Sequence, residues 1–142
     1  MYEQLVPTEA QLEKLLSLPP DSPVAALNLF QFRDRARYSE EDPEFGTEAA
    51  NVSGQEAFAR YSAAAGEFLS SLGGSVVFSA VVDQLMIGPD EQQWDVAAVM
   101  YFPTRKAFID MLMAPDFQAT SRHRKAALTR HHMLHLGGTP FA

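Results

Sequence analysis

The chain contains no cysteine. That excludes disulfides, thiolate nucleophiles and thiolate metal sites, and it fits a cytoplasmic setting. Basic residues are scarce: 11 Lys and Arg stand against 18 Asp and Glu, for a net charge of -7. A nucleic-acid partner needs a basic face, and the one basic cluster, Arg122-His123-Arg124-Lys125, reads as a solvated turn of helix. No apolar run approaches the ~18 residues of a membrane span, so no membrane partner is expected. Residues 1–7 have neither a basic n-region nor an apolar h-region and do not read as a secretory signal. There is no nucleophile elbow, no HExxH and no Gly-rich phosphate loop; Gly73-Gly74 reads as a turn.

What is present suits one globular domain. With 142 residues, 46% of them hydrophobic, and a mean hydropathy of -0.13, the chain is long enough to bury about 68% of its unfolded surface. Residues 1–21 read as an N-terminal helical extension, and 22–142 as the domain proper. Thr8 and Gln11 have the spacing of a capping box. Leu12, Leu15 and Leu16 then share a helix face until Pro19-Pro20 stops it.

The run VAALNLFQF over Val24–Phe32 reads as the first core strand, with Asn28, Phe30 and Phe32 on one face. Residues 34–53 form a long acidic stretch, either a mobile surface loop or a lid. Ser53 and Glu56 make a second capping box. The helix that follows carries Phe58, Tyr61, Ala65, Phe68, Leu69 and Leu72 on one stripe, and Gly73-Gly74 ends it. Residues 75–87 read as a long strand and 94–102 as its hairpin partner. Thr104 then caps a helix that turns Ala107, Phe108, Met111 and Leu112 inward. Pro115-Asp116 restarts a helix to about Leu128, and residues 129–136 form the last strand, ended by Gly137-Gly138.

The succession β-α-β-β-α-β is the split, ferredoxin-like arrangement with a four-stranded antiparallel sheet, an α+β fold. An antiparallel sheet with one wet face shows apolar–polar alternation. Here it is missing: Trp94, Val96, Ala98, Met100 and Phe102 lie on one face of a strand, and Ala97, Val99 and Tyr101 on the other. Helices of one chain cover one face only. The other requires a second copy, because an apolar sheet face exceeds the few hundred Å² that a monomer exposes. The pattern therefore predicts a homodimer packed sheet on sheet.

Several stretches match one family together and in order: LNLFQFR with Asn28, GQEAFARY with Tyr61, Trp94-Asp95, Pro103-Thr104-Arg105 and His123-Arg124. Over about residues 22–136 the chain resembles the domain-of-unknown-function family number 1330, of the dimeric α+β barrel superfamily. The resemblance implies two four-stranded sheets closing into a barrel. The superfamily holds cofactor-free monooxygenases, isomerases, dehalogenase-like proteins and haem enzymes, and the family itself has no assigned reaction. Gln31 stands where the resemblance implies a basic residue.

The candidate pocket is built from Asn28, Phe30, Tyr61, Trp94 and Phe108, with His123 as acid or base and Arg33 or Arg105 holding an anion. Each has a plainer reading. Asn28 can bond a neighbouring backbone group, His123 can face solvent, and Tyr61 and Tyr101 can be core or interface aromatics. Asp83, in mid-strand, calls for Arg33 or Arg105 as partner if it faces inward. His131 and His135 share a strand face but lie about 13 Å apart at ~3.3 Å per residue, too far for one metal ion, while His132 points the opposite way. No metal and no cofactor is expected. Two functions fit: a cofactor-independent enzyme, monooxygenase- or isomerase-like, on a small hydrophobic or carboxylated compound, or a non-catalytic dimeric binding or structural module.

Overall fold

The computed structural model describes residues 4–137; of the sequence readings, residues 1–3 and the second glycine of Gly137-Gly138 lie outside them. Helix α1, Glu9–Ser17, starts at a closed capping box. Thr8 Oγ1 accepts from the Gln11 N–H at 3.1 Å, and Gln11 Oε1 accepts from the Thr8 N–H at 2.9 Å. The helix buries none of its residues. Its expected apolar stripe is therefore not core: Leu15 packs at the edge and Leu16 is exposed.

Strand β1, Val24–Phe32, alternates as its sequence face predicts, with Val24, Ala26, Asn28 and Phe30 buried. Helix α2, Gly54–Ser71, begins at Ser53, whose Oγ accepts from the Glu56 N–H at 3.0 Å. Its first residue lies where nothing larger fits. A Cβ on Gly54 would stand 2.1 Å from the Arg33 carbonyl oxygen and 2.7 Å from that of Ala127. After α2, Gly73 takes the left-handed conformation (φ 78°) that ends a helix.

Strands β2, Ser75–Val81, and β3, Val96–Phe102, follow, then helices α3, Arg105–Met113, and α4, Pro115–Ala127, and strand β4, Leu128–Leu136. The sheet has the order β2-β3-β1-β4, with every neighbouring pair antiparallel. The described residues make an α+β fold of four α-helices and a four-stranded antiparallel sheet.

Two strands are shorter than their hydrophobic runs. The second ends at Val81, not at 87, and the third begins at Val96, not at 94. The last backbone bond of this pair runs from the Val82 N–H to the Asp95 carbonyl. Beyond it residues 83–94 have no strand opposite, so the apolar Met86 and Ile87 stand exposed in a loop. Asp83, exposed there, needs no buried cation. A bulge between Val76 and Phe78 also changes the faces: Val76 lies opposite Met100, whereas Phe78 lies opposite Val99.

The core lies on one side of the sheet. Ala26 and Phe102 pack with Tyr61, Ala65 and Leu69 of α2, Phe108 and Met111 of α3, and Phe117 of α4. Phe30 and Ala98 pack with Ala57, Ala126 and Leu128. The other side carries Leu27, Leu29, Ala97 and Val99 between Phe78 (66% exposed), Tyr101 (38%) and Leu134 (51%). No described helix covers it.

Candidate functional site

A cavity of about 250 Å³ lies between α2 and the β2-β3-β1 side of the sheet. Phe58, Tyr61, Ala65 and Gly66 of α2 roof it, Phe30, Ala98 and Met100 floor it, and Met111 closes one end. Val76 and Ser79 of the edge strand β2 form its open side. The helical spacing that puts Tyr61 and Ala65 in the buried stripe also makes them cavity wall. Where Gly66 interrupts that wall, a Cβ would meet nothing within 4 Å.

Beneath and beside the cavity runs a hydrogen-bonded chain of three buried or half-buried side chains. Asn28 Oδ1 lies 2.9 Å from His131 Nε2, and His131 Nδ1 lies 3.2 Å from Arg124 Nη1. A guanidinium can only donate. Nδ1 must therefore accept, Nε2 carries the proton, and the imidazole donates to Asn28. The Asn28 amide nitrogen in turn donates to the Ala26 carbonyl at 3.2 Å and approaches Met100 Sδ at 3.9 Å. Burial, and then the neighbouring Arg124 and His132, push the His131 pKa down to about 3, so the ring is neutral in ordinary buffers. It stacks on Phe30 at 4.6 Å, which ties this chain to the cavity floor.

Arg124 is itself buried. Its Nη1 also donates to the Leu5 carbonyl, and its guanidinium lies 6.0 Å from the centre of the Tyr61 ring. Burial lowers its pKa. Burial likewise raises that of Tyr61, with Arg124 pulling the other way.

His123 belongs to a different cluster. Its Nδ1 lies 2.7 Å from Tyr38 Oη, and that oxygen accepts from Arg60 Nη1 at 2.9 Å. Burial and Arg122 lower its pKa. The cluster belongs to the 34–53 segment, which is fastened rather than loose. Glu44 grips Arg122 through two 2.9 Å bonds, the Arg37 N–H donates to the Ala126 carbonyl, and Arg35 bridges to Ser53. This segment and α4 line an open, charged depression of about 380 Å³; the segment does not line the cavity under α2.

Of the residues singled out from sequence, Phe30 and Tyr61 line the cavity, and Asn28 lies just beneath it. Trp94 stacks on His132 at 4.7 Å under Arg130, on the side of the sheet away from the helices. Phe108 is core, edge-on to Phe102 and His135. Arg105 donates to the Pro19 carbonyl, and its buried Nε has no partner among the described residues. Arg33, at the end of β1, uses its backbone to hold Gly54 and Ala127. Neither arginine lines the cavity. Arg124 and His131 were not foreseen as site residues. Strand spacing tests His131 only as a metal ligand, and an amide in an apolar strand calls for a buried partner without naming it. Among the described residues no three His, Asp or Glu side chains are placed to hold a metal, and no helix is long and apolar enough to cross a membrane.

A family model described as Domain of unknown function (DUF1330) matches residues 47–137. The chain belongs to the DUF1330 family. Two solved structures have the same fold over nearly the whole length. The crystal structure of methylated RPA0582 protein is 26% identical, with a TM-score of 0.86 over 99% of this chain and 98% of that one. The RPA0582 protein of unknown function from Rhodopseudomonas palustris is 27% identical, with a TM-score of 0.84 over 98% and 99%. No curated protein matches. The DUF1330 match begins before α2 and ends after β4, so it takes in the roof of the cavity, β2, β3, Arg124 and His131, but not Asn28.

Proposed function

We propose that this DUF1330 protein is a homodimer that binds a small, largely apolar molecule in the cavity under α2. The cavity carries the reading. At about 250 Å³ it is near the small end of ligand sites, and it has their make-up, apolar walls with a few polar groups. Met100 and Met111 in the wall adapt to irregular shapes. Binding is favoured over catalysis by the titratable groups at hand. His131 is locked neutral with both nitrogens engaged, Tyr61 is pushed up, and His123 faces Tyr38 instead. The first two are not near-neutral acids or bases and the third lies outside the cavity, so none of them is placed there for a monooxygenase- or isomerase-like step.

The dimer is supported by the uncovered apolar side of the sheet, which is large for a monomer. The strand order β4-β1-β3-β2 supports a ferredoxin-like unit for residues 22–142, with 1–21 as an extension. Two such sheets face to face make the barrel.

Native mass spectrometry of protein purified without denaturation tests the cavity. The wild type is expected to carry a small compound and Gly66→Leu, which fills open space, to have lost it. Identical unliganded spectra for both would overturn the reading.

A further inference from the structure

The cavity has polar chemistry that an apolar guest leaves unused. The Tyr61 side chain is buried (8% exposed) and lines the cavity, yet its hydroxyl has no hydrogen-bond partner among the described residues. The hydroxyl oxygen is not sealed off from solvent, so water or a guest in the cavity can accept from its O–H. Behind the same ring stands a buried cation that has no counter-ion among the described residues. The ion pairs among the described residues are Lys106 with Asp110 and Arg122 with Glu44, and neither includes Arg124. Its partners, the Leu5 carbonyl, His131 and the Tyr61 ring face, are all neutral, and its Nε and Nη2 edge makes no bond among the described residues. Burial disfavours a charge, and neutral acceptors leave it in place. Among the described residues no Asp or Glu lines the cavity. In a chain of net charge -7, the buried charge beside this wall is positive: Arg124, outside the lining but 6.0 Å from the centre of the Tyr61 ring.

We propose that the guest is a small carboxylate: an apolar body of about one ring lies among Phe30, Phe58 and Met100, and its carboxylate accepts from the Tyr61 hydroxyl within the field of Arg124. This rests on the cavity reading above and names the ligand class. A hydrogen bond to a charged acceptor is about twice as strong as a neutral one, so the phenol selects an anion over an alcohol. A phosphate is disfavoured, because it needs several converging donors and the cavity wall offers one phenol.

The test uses trans-cinnamate and its neutral counterpart, cinnamyl alcohol, titrated calorimetrically into the full chain. Cinnamate is expected to bind at least tenfold more tightly. Arg124→Gln is expected to erase that preference while keeping the affinity for the alcohol, and Tyr61→Phe to cut it severalfold. Equal binding of the two probes by the wild type would overturn the carboxylate and leave the cavity standing. If neither probe binds, the cavity reading falls and the inference with it. If Arg124→Gln does not fold, judged by circular dichroism, Tyr61→Phe decides: an undiminished preference for cinnamate in that variant overturns the proposal.

Discussion

Asn28 is an amide in the middle of an apolar strand, and leaving it unpaired would cost roughly 1–3 kcal/mol. That it needs a partner is legible in VAALNLFQF. Which partner is not, because it depends on β1 pairing with β4 so that Phe30 faces His131 and puts the ring diagonal to Asn28. No local pattern encodes that register. The same pairing sets a pH dependence. The His131 pKa is lowered from its ordinary 6.5 to about 3 in the fold, so between these values the unfolded chain binds more protons. This contribution is complete above pH 6.5 and lost progressively as pH falls toward 3. Thermal melts should show the midpoint dropping over that interval. His131→Gln, whose amide can donate to Asn28 and accept from Arg124, should melt with a shallower pH slope; an unchanged slope would assign the acid sensitivity elsewhere. Gly66 gives a second prediction. It is a helical glycine with open space where its Cβ would be, so Gly66→Ala should raise stability by about 0.5–1 kcal/mol, as read by urea denaturation.

At the scale of elements, helix starts were the most legible feature. Thr8, Ser53 and Thr104 each cap the helix the sequence assigned to them, because a cap is a local matter of one oxygen and one N–H three residues on. Gly54 was read only as part of a capping box, yet it is also the point where α2, β1 and α4 converge on two backbone oxygens. Gly54→Ala should destabilise by about 1–3 kcal/mol or more through overpacking, measurable in the same denaturation experiment. Strand lengths were less legible. The apolar run continues past Val81, but a strand ends where its partner does, and the partner lies elsewhere in the chain. The 34–53 segment is held to α4 by the Glu44–Arg122 pair. The hydrogen bonds from Arg122 keep the Glu44 carboxyl at about 2, below its ordinary 4.5. The tie is therefore complete above pH 4.5 and lost as pH falls toward 2. At neutral pH, Glu44→Gln should speed amide exchange across residues 36–52 while leaving β1 and β3 protected. Unchanged exchange in that segment would show that the backbone bonds to Val52 and Ala126 hold it alone.

For the molecule as a whole, the sheet divides the work. One side carries the helices, the core and the cavity; the other carries Leu27, Leu29, Val99 and Phe78 with no described helix over them. The missing apolar–polar alternation made this second side legible, since it needed only the period of the strands. The cavity was legible only in part. Phe30 and Tyr61 follow from strand and helix period, while Arg124 sits in what the sequence presents as a solvated basic cluster and is enclosed only by β4 and Leu5. The central claim is that a second copy covers the open sheet face and leaves the cavity side of each subunit free for a ligand. Light scattering on the eluting peak at micromolar concentration tests it most directly. The expected mass is twice the 15.7 kDa of the chain, with Val99→Lys eluting at the single-chain mass while still folded. A wild type that scatters as one chain across that concentration range would contradict it.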